Sequence, residues 1–357
     1  MVHRLLHVGL GPLGQQIERD LLERSLARTV AAVDSAPALA GRALAELAPG
    51  ADARVRILPS LAQVSSWREL DAALLTTSSE LPACMPLLRE LLGHGLAVVS
   101  TCEELLFPWL RHPELALELE QLARERGARL LGTGVNPGFV MDALPVFASA
   151  VCKSVRAVRV ARIQDAGSRR VPFQRKIGAG LSLPEFDERV KNGSLRHVGL
   201  GESLHFVARA LGFELERWSE TIAPVPAERE LACALGKIPR GHAAGVRQVA
   251  EGFAGGERVI ALEFQAAIGQ SDPHDRVVLD GEPPIDIVLR GGVHGDVATS
   301  AIVLNSIAPL LASAPGLHTM ATIPIPSCAD AGQGAERRAG RNGPPPRERL
   351  EDVRRSP

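Results

Sequence analysis

The stretch His3-Arg4-Leu5-Leu6-His7-Val8-Gly9-Leu10-Gly11-Pro12-Leu13-Gly14 opens the chain and decides its architecture. Residues 4–9 form a short apolar run that ends in glycine, as a buried strand entering a tight turn does. Gly9, Gly11 and Gly14 stand at G-x-G-x-x-G spacing, and a helix is predicted from 13 to about 26. In such a turn the first glycine allows the bend and the second lets the backbone approach a pyrophosphate. The third lets helix and strand pack closely. The helix N-terminus adds free N–H donors and the positive end of its dipole. Pro12 suits the first helical turn, where its missing N–H costs little, and Leu13 follows it in the same turn. Asp34 comes 20 residues after Gly14, at the end of a second strand over 28–34. A carboxylate there hydrogen-bonds a ribose 2′-hydroxyl and repels a 2′-phosphate, so NAD is expected over NADP, with NADP still possible.

Working outward, strands are predicted near 54–58, 71–76, 96–99 and 128–132, with helices over 80–93 and 113–126 between them. Strands alternating with helices imply an α/β domain with a doubly wound parallel sheet, the Rossmann arrangement, over residues 1–137. The loops leaving the fourth and fifth strands then border the cofactor crevice. They hold Thr76, Thr77, Ser78 and Thr101, which suit phosphate and ribose contacts and equally suit helix capping. Glu103 follows Thr101 closely. It reads either as a base or amine ligand near the nicotinamide end, or as a first-turn glutamate favoured by a helix dipole.

Beyond about residue 150 the period changes. Residues 257–269 alternate Ile260, Leu262, Phe264, Ala266 and Ile268 against Glu263 and Gln265, and 275–291 read as a hairpin. This predicts an α+β substrate domain over 138–328 with an open, largely antiparallel sheet and helices near 184–192 and 202–211. A last helix over 297–313 is expected to pack back toward the first domain. Residues 329–357 hold seven arginines, five acids and a triple proline, and are expected to be a disordered, solvated tail.

Composition narrows the function. The 357 residues carry 40 basic and 41 acidic side chains, a net charge of −1 that argues against a polyanion-binding protein. No apolar run approaches the ~20 residues a membrane span needs, and no cleavable leader is apparent. The five cysteines lack any C-x-x-C spacing, so neither a disulfide framework nor a metal site is expected, and a cytoplasmic setting fits. The chain has no tyrosine, which removes chemistry that relies on a Tyr hydroxyl as proton donor.

Three further segments carry a resemblance: GTGVNPGFVMD at 132–142, DAGSRRVPFQRKIGAG at 165–180 and HVGLGES at 197–203. With the glycine turn, they resemble the 2,4-diaminopentanoate dehydrogenase family, itself related to dihydrodipicolinate reductase through the nucleotide domain. The His-His pair and P-S-G-T loop typical of dihydrodipicolinate reductase are missing. The Asn136-Pro137-Gly138 turn is similar to the Asp-Pro-Gly turn of meso-diaminopimelate dehydrogenases, and Asn136 would offer a hydrogen bond rather than a base. The resemblance implies NAD-linked oxidative deamination of a short diamino acid, 2,4-diaminopentanoate, by an enzyme that contacts no nucleic acid or membrane. Independently, Arg169 and Arg170 present planar donor forks that match a carboxylate. Lys176 and Gln174 stand nearby, and Gly178 permits close backbone approach. Glu103 and Asp165 are the candidate bases, with Lys176 and the arginines as carboxylate clamp. His197 and His294 titrate in the right range but read more readily as structural. An imine reductase of the dihydrodipicolinate type and a non-catalytic NAD-binding sensor remain as rivals. The exposed sheet face of the second domain makes a homo-oligomer expected.

Overall fold

The computed structural model describes residues 2–25, 27–169 and 171–328; the expected disordered tail at 329–357 lies outside them. The first domain runs β1 (His3–Val8), α1 (Pro12–Arg24), β2 (Ala27–Val33), β3 (Ile57–Leu58), β4 (Ala72–Leu75), α2 (Leu81–Gly93), β5 (Ala97–Ser100), α3 (Pro113–Arg126) and β6 (Arg129–Gly132). There follow α4 (Ala143–Ala148), β7 (Ser154–Asp165), α5 (Val171–Lys176), α6 (Leu183–Lys191), α7 (Leu200–Leu211) and β8 (Arg217–Pro226). A small hairpin, β9 (Leu231–Cys233) and β10 (Gly236–Ile238), precedes β11 (Ala243–Ala254), β12 (Glu257–Ala267), β13 (His274–Glu282) and β14 (Ile285–Arg290). The chain then forms α8 (Gly295–Leu311) and β15 (Gly316–His318).

The first sheet has seven parallel strands in the order β15-β6-β5-β4-β1-β2-β3. Its strands are apolar almost throughout, as a sheet covered on both faces requires. Ile17 and Leu21 of α1 and Val303, Leu304 and Ile307 of α8 cover one face. Leu81, Leu88 and Leu91 of α2 and Leu119 and Ala123 of α3 cover the other. Each such leucine is fully buried and contributes about 1.5–3 kcal/mol of transfer free energy.

The second sheet has six strands in the order β14-β13-β7-β12-β11-β8, antiparallel except for the parallel pair β7 and β12. The helix α8 returns to pack on α1, β5 and β6, and Gly316–His318 then pairs with β6 as the edge strand of the first sheet. Chain continuity explains this: a helix laid on the first sheet delivers the next strand to the nearest open edge. The 54–58 strand is shorter than expected, with only Ile57 and Leu58 in the ladder.

Candidate active site

The glycine turn shows why each glycine is present. Gly9 adopts φ +96, and a Cβ there would lie 2.7 Å from the Thr76 carbonyl oxygen. A Cβ on Gly14 would lie 2.1 Å from the Gly9 carbonyl oxygen, so α1 and β1 approach as closely as backbones can. Around a Cβ on Gly11, by contrast, there is nothing within 4 Å. That open space lies at the N-cap of α1, where Pro12 occupies the first turn and the first N–H groups have no helical acceptor. Asp34 accepts from Leu10 N–H at 2.6 Å and from Ala36 N–H at 2.8 Å, tying the end of β2 to the turn. Thr76 donates to the Gly9 carbonyl at 2.5 Å and meets His7 Nε2 at 3.1 Å. A pyrophosphate with a ribose beside Asp34 fits this cradle.

The carboxyl ends of β4, β5 and β6 and the facing side of the second sheet enclose a cleft of about 360 Å³. Leu13, Thr76, Thr77, Ser78 and Thr101, all expected at the cofactor, line it, together with Ser79. The two adjacent glutamates after β5 divide their labour. Glu104 is buried, accepts from Leu81 N–H and His112 Nε2 at 2.9 Å each, and faces Arg196 at 3.5 Å. It pins the turn, and Glu103 lines the cleft. Glu103 Oε1 meets Lys176 Nζ at 3.5 Å, while its Oε2 is buried with no hydrogen-bond partner. Burial pushes the Glu103 carboxyl above its ordinary range, and the Lys176 ammonium opposes that shift.

Asn136 lies beyond β6, with a buried Oδ1 that has no partner and an amide 3.0 Å from His197 Nε2. The amide donates, so Nε2 accepts and the ring is neutral. Burial, with Lys176 and Arg162 as further causes, holds the His197 ring well below its ordinary range. The ring stacks on Phe264 at 4.4 Å, and Gln248 grips its backbone at both N–H and C=O.

The opposite wall comes from β7 and α5. Arg162 is only 2% exposed, pairs with Asp275 at 2.7 Å and donates to the Val293 carbonyl. In register it stands between Asp275 on β13 and Phe264 on β12. Arg169 lies 4.2 Å over the Phe173 ring and 3.3 Å from Asp296. Residues Val171–Lys176 form a short helix, and Pro172, Phe173 and Lys176 of it line the cleft together with the preceding Arg169.

Several expected site residues lie elsewhere. Asp165 is exposed and does not line the cleft; its Oδ1 accepts from Gly167 and Gly269 N–H at 2.9 Å, closing two loops. Gln174 sits on the far face of α5, donating to the Ala166 and Gly167 carbonyls. A Cβ on Gly178 would meet Leu195 and Phe186, so that glycine serves packing. Arg170 lies outside the described residues. His294 caps α8. Sequence reasoning passed over Arg162, Gln164, Phe264, Asp296 and Thr299. Arg162 carried a signal, since it shares strand parity with the buried Val158 and Val160.

A glycine turn on parallel strands, closed by a second sheet that lends charged groups to the same cleft, defines an oxidoreductase of the dinucleotide-linked dehydrogenase class. Residues 139–337 match the 2,4-diaminopentanoate dehydrogenase C-terminal domain. The chain is 28% identical over 330 residues to 2,4-diaminopentanoate dehydrogenase of Acetoanaerobium sticklandii, covering 90% of this chain and 94% of that one. It is 24% identical over 256 residues to an amine dehydrogenase of Streptomyces virginiae, covering 65% of this chain and 70% of that one. An amine dehydrogenase structure from Mycobacterium smegmatis shares the fold with a TM-score of 0.80 at 22% identity, covering 91% of this chain and 97% of that one. The protein belongs to the 2,4-diaminopentanoate dehydrogenase family.

Proposed function

We propose that the protein catalyses NAD-dependent oxidative deamination of a short diamino acid, converting 2,4-diaminopentanoate to 2-amino-4-oxopentanoate and ammonia. The observation that carries this reading is the buried, unpartnered Glu103 Oε2 in a cleft that also presents the orphan acceptor Asn136 Oδ1. Lys176 and the Ser79 hydroxyl face the Glu103 carboxylate, yet Oε2 and the Asn136 Oδ1 are left short of donors, and a buried acceptor so left costs about 1–3 kcal/mol, which a ligand with N–H groups would relieve. An amine supplies them.

NAD, held by the Gly9–Gly14 turn and Asp34, would supply the hydride acceptor for the carbon that bears the amine. Glu103 accepts a proton from the substrate ammonium, which leaves the neutral amine that hydride loss requires. Its raised affinity for protons brings it closer to the amine and makes that transfer less unfavourable. Asn136 holds the amine by its Oδ1, and neutral His197 fixes the Asn136 side chain without adding a competing charge. After oxidation, Glu103 releases that proton to solvent; as a carboxylate again it takes a proton from the water that attacks the imine carbon and passes it to the departing ammonia. Arg162 and Arg169, with Lys176 nearer Glu103, counter the substrate carboxylate. Asp34 disfavours a 2′-phosphate, so NAD is the preferred cofactor and NADP the weaker one.

The five cysteines are free, and no helix among the described residues is long and apolar enough to cross a membrane; a cytoplasmic setting suits both. We also propose a homo-oligomer in which a second copy covers the outer face of the six-stranded sheet. That face sets Arg276 beside Asp286 and Arg247 beside Glu263, with Val278 and Val288 also turned outward. Such mixed charge is self-complementary across a two-fold axis. Light scattering decides it, and a monomer refutes it.

The functional assay is NADH formation at 340 nm with NAD or NADP and 2,4-diaminopentanoate, ornithine, lysine and meso-diaminopimelate. Turnover of 2,4-diaminopentanoate with NAD is expected. Turnover of only an imine, in the reducing direction, would replace the reading with an imine reductase. NAD binding without turnover of any amine would replace it with a sensor.

A further inference from the structure

We infer that Asp296 and Arg169 form a two-charge clamp for an α-amino-acid head, and that this clamp decides which substrate amine reaches Glu103. The inference rests on the proposed deamination and adds the reason for its regiochemistry.

Besides the buried Arg162–Asp275 pair, two ion pairs of cleft-lining described residues stand toward opposite ends of α5. Lys176 with Glu103 stands at its last residue, and Arg169 with Asp296 just before its first. Arg169 and Lys176 both face the cleft, on either side of Pro172 and Phe173, which line it as well. A 4-amine held at Glu103 leaves the α-carbon head of the same substrate to the Arg169 end.

That end is built for two charges. Gly295 lies directly beneath the guanidinium, where a Cβ would come within 2.7 Å of an Arg169 terminal nitrogen. Phe173 stacks on the guanidinium from the other side, and Gln164 Oε1 accepts from it at 3.5 Å. These contacts hold the planar guanidinium in place at the cleft wall, where its donors can meet a carboxylate. Asp296, on the first turn of α8, lines the same cleft, and its side chain is 24% exposed. A carboxylate beside the guanidinium would repel a plain acid and attract an ammonium one bond from it. An α-amino acid carries that arrangement, and a simple carboxylic acid does not. The clamp leaves the α-amine ionised against Asp296, far from Glu103, and so protects it from oxidation.

The test compares 2,4-diaminopentanoate with 4-aminopentanoate, which lacks only the 2-amine, in the wild type and in D296N. Wild type is expected to favour the diamino acid by at least about tenfold in kcat/KM, since a site built for a polar group discriminates against its absence. In D296N the diamino acid is expected to lose at least about tenfold more than the monoamine, mainly through KM, because the contact is the same in ground and transition states. Parallel losses, no loss, or a wild type indifferent to the 2-amine would overturn the clamp. Wild-type turnover of neither compound would instead sink the proposed function. Inhibition of the wild type by norvaline and by pentanoate gives a readout that needs no variant: norvaline is expected to bind at least about tenfold more tightly. Equal inhibition overturns the clamp even if D296N fails to fold.

Discussion

Gly11→Ala and Gly14→Ala are both single-methyl changes in the same turn, yet their consequences should separate cleanly. The Gly14 methyl would lie 2.1 Å from the Gly9 carbonyl oxygen, and neither backbone can yield without pulling α1 from β1. Overpacking of this kind costs about 1–3 kcal/mol. If the displaced turn transmits that strain to the cofactor, Kd for NADH rises by roughly 5- to 150-fold. The Gly11 methyl meets nothing, and Gly11 has φ −64 and ψ −177, an extended conformation open to alanine. The change from glycine to alanine at this N-cap costs under about 1 kcal/mol. Its methyl projects into the space assigned to the pyrophosphate, so binding should weaken at least about tenfold with stability little changed. NADH fluorescence titration and thermal unfolding without cofactor read the two quantities separately. Gly11→Ala with wild-type affinity would refute the placement of the phosphates, and Gly14→Ala with wild-type unfolding would refute the packing argument.

Glu103→Gln should lower kcat by about 10²- to 10⁴-fold and remove the limb of rising kcat/KM that lies above the ordinary carboxylate range; a retained limb assigns the base elsewhere. Because the folded state holds the Glu103 proton more tightly than the unfolded chain does, wild-type stability falls as pH rises through the folded pKa, and the variant should not share that fall in unfolding curves taken across pH. Asp165→Asn should keep turnover within a few-fold, since the exposed carboxylate only closes loops and asparagine can still accept; a loss near that of Glu103→Gln would place it in the chemistry. Asp142→Ala should cost about 3 kcal/mol or more in urea unfolding, because it orphans the Gly138 and Ala143 N–H groups and the Ser203 hydroxyl.

The legible half of the molecule is the half whose sheet is covered by helices on both faces. The first sheet is buried on both faces, so its strands read as plain apolar runs, and the glycine turn is dictated by backbone contact alone. Glu103 was visible for a related reason: its place after a parallel strand is topological, whatever its side chain does. β8 and β11 were not foreseen. Their inward faces carry Glu220 and Gln248, and β11 is interrupted by Gly245 and Gly252, so the period-two signal is broken by the residues that support the site.

The same cause hid the specificity end of the cleft. Arg156, Arg159 and Arg162 recur every third residue along β7, a spacing that matches neither face of a strand, and only Arg162 of the three is buried. A buried arginine is tolerable there because Asp275 arrives opposite it from β13, a pairing set by register across more than a hundred residues. Arg169 and Asp296 likewise meet only because α8 returns to the first sheet and brings its N-terminus beside α5. Asp165, the rival base, is close to Arg169 in sequence but at the end of β7, where it turns outward to bind loop N–H groups. Local sequence therefore locates the groups that act on the cofactor side. The groups proposed to choose the substrate, Arg169 and Asp296, are brought together by tertiary register, so a change at either would leave the glycine turn and the strand pattern intact.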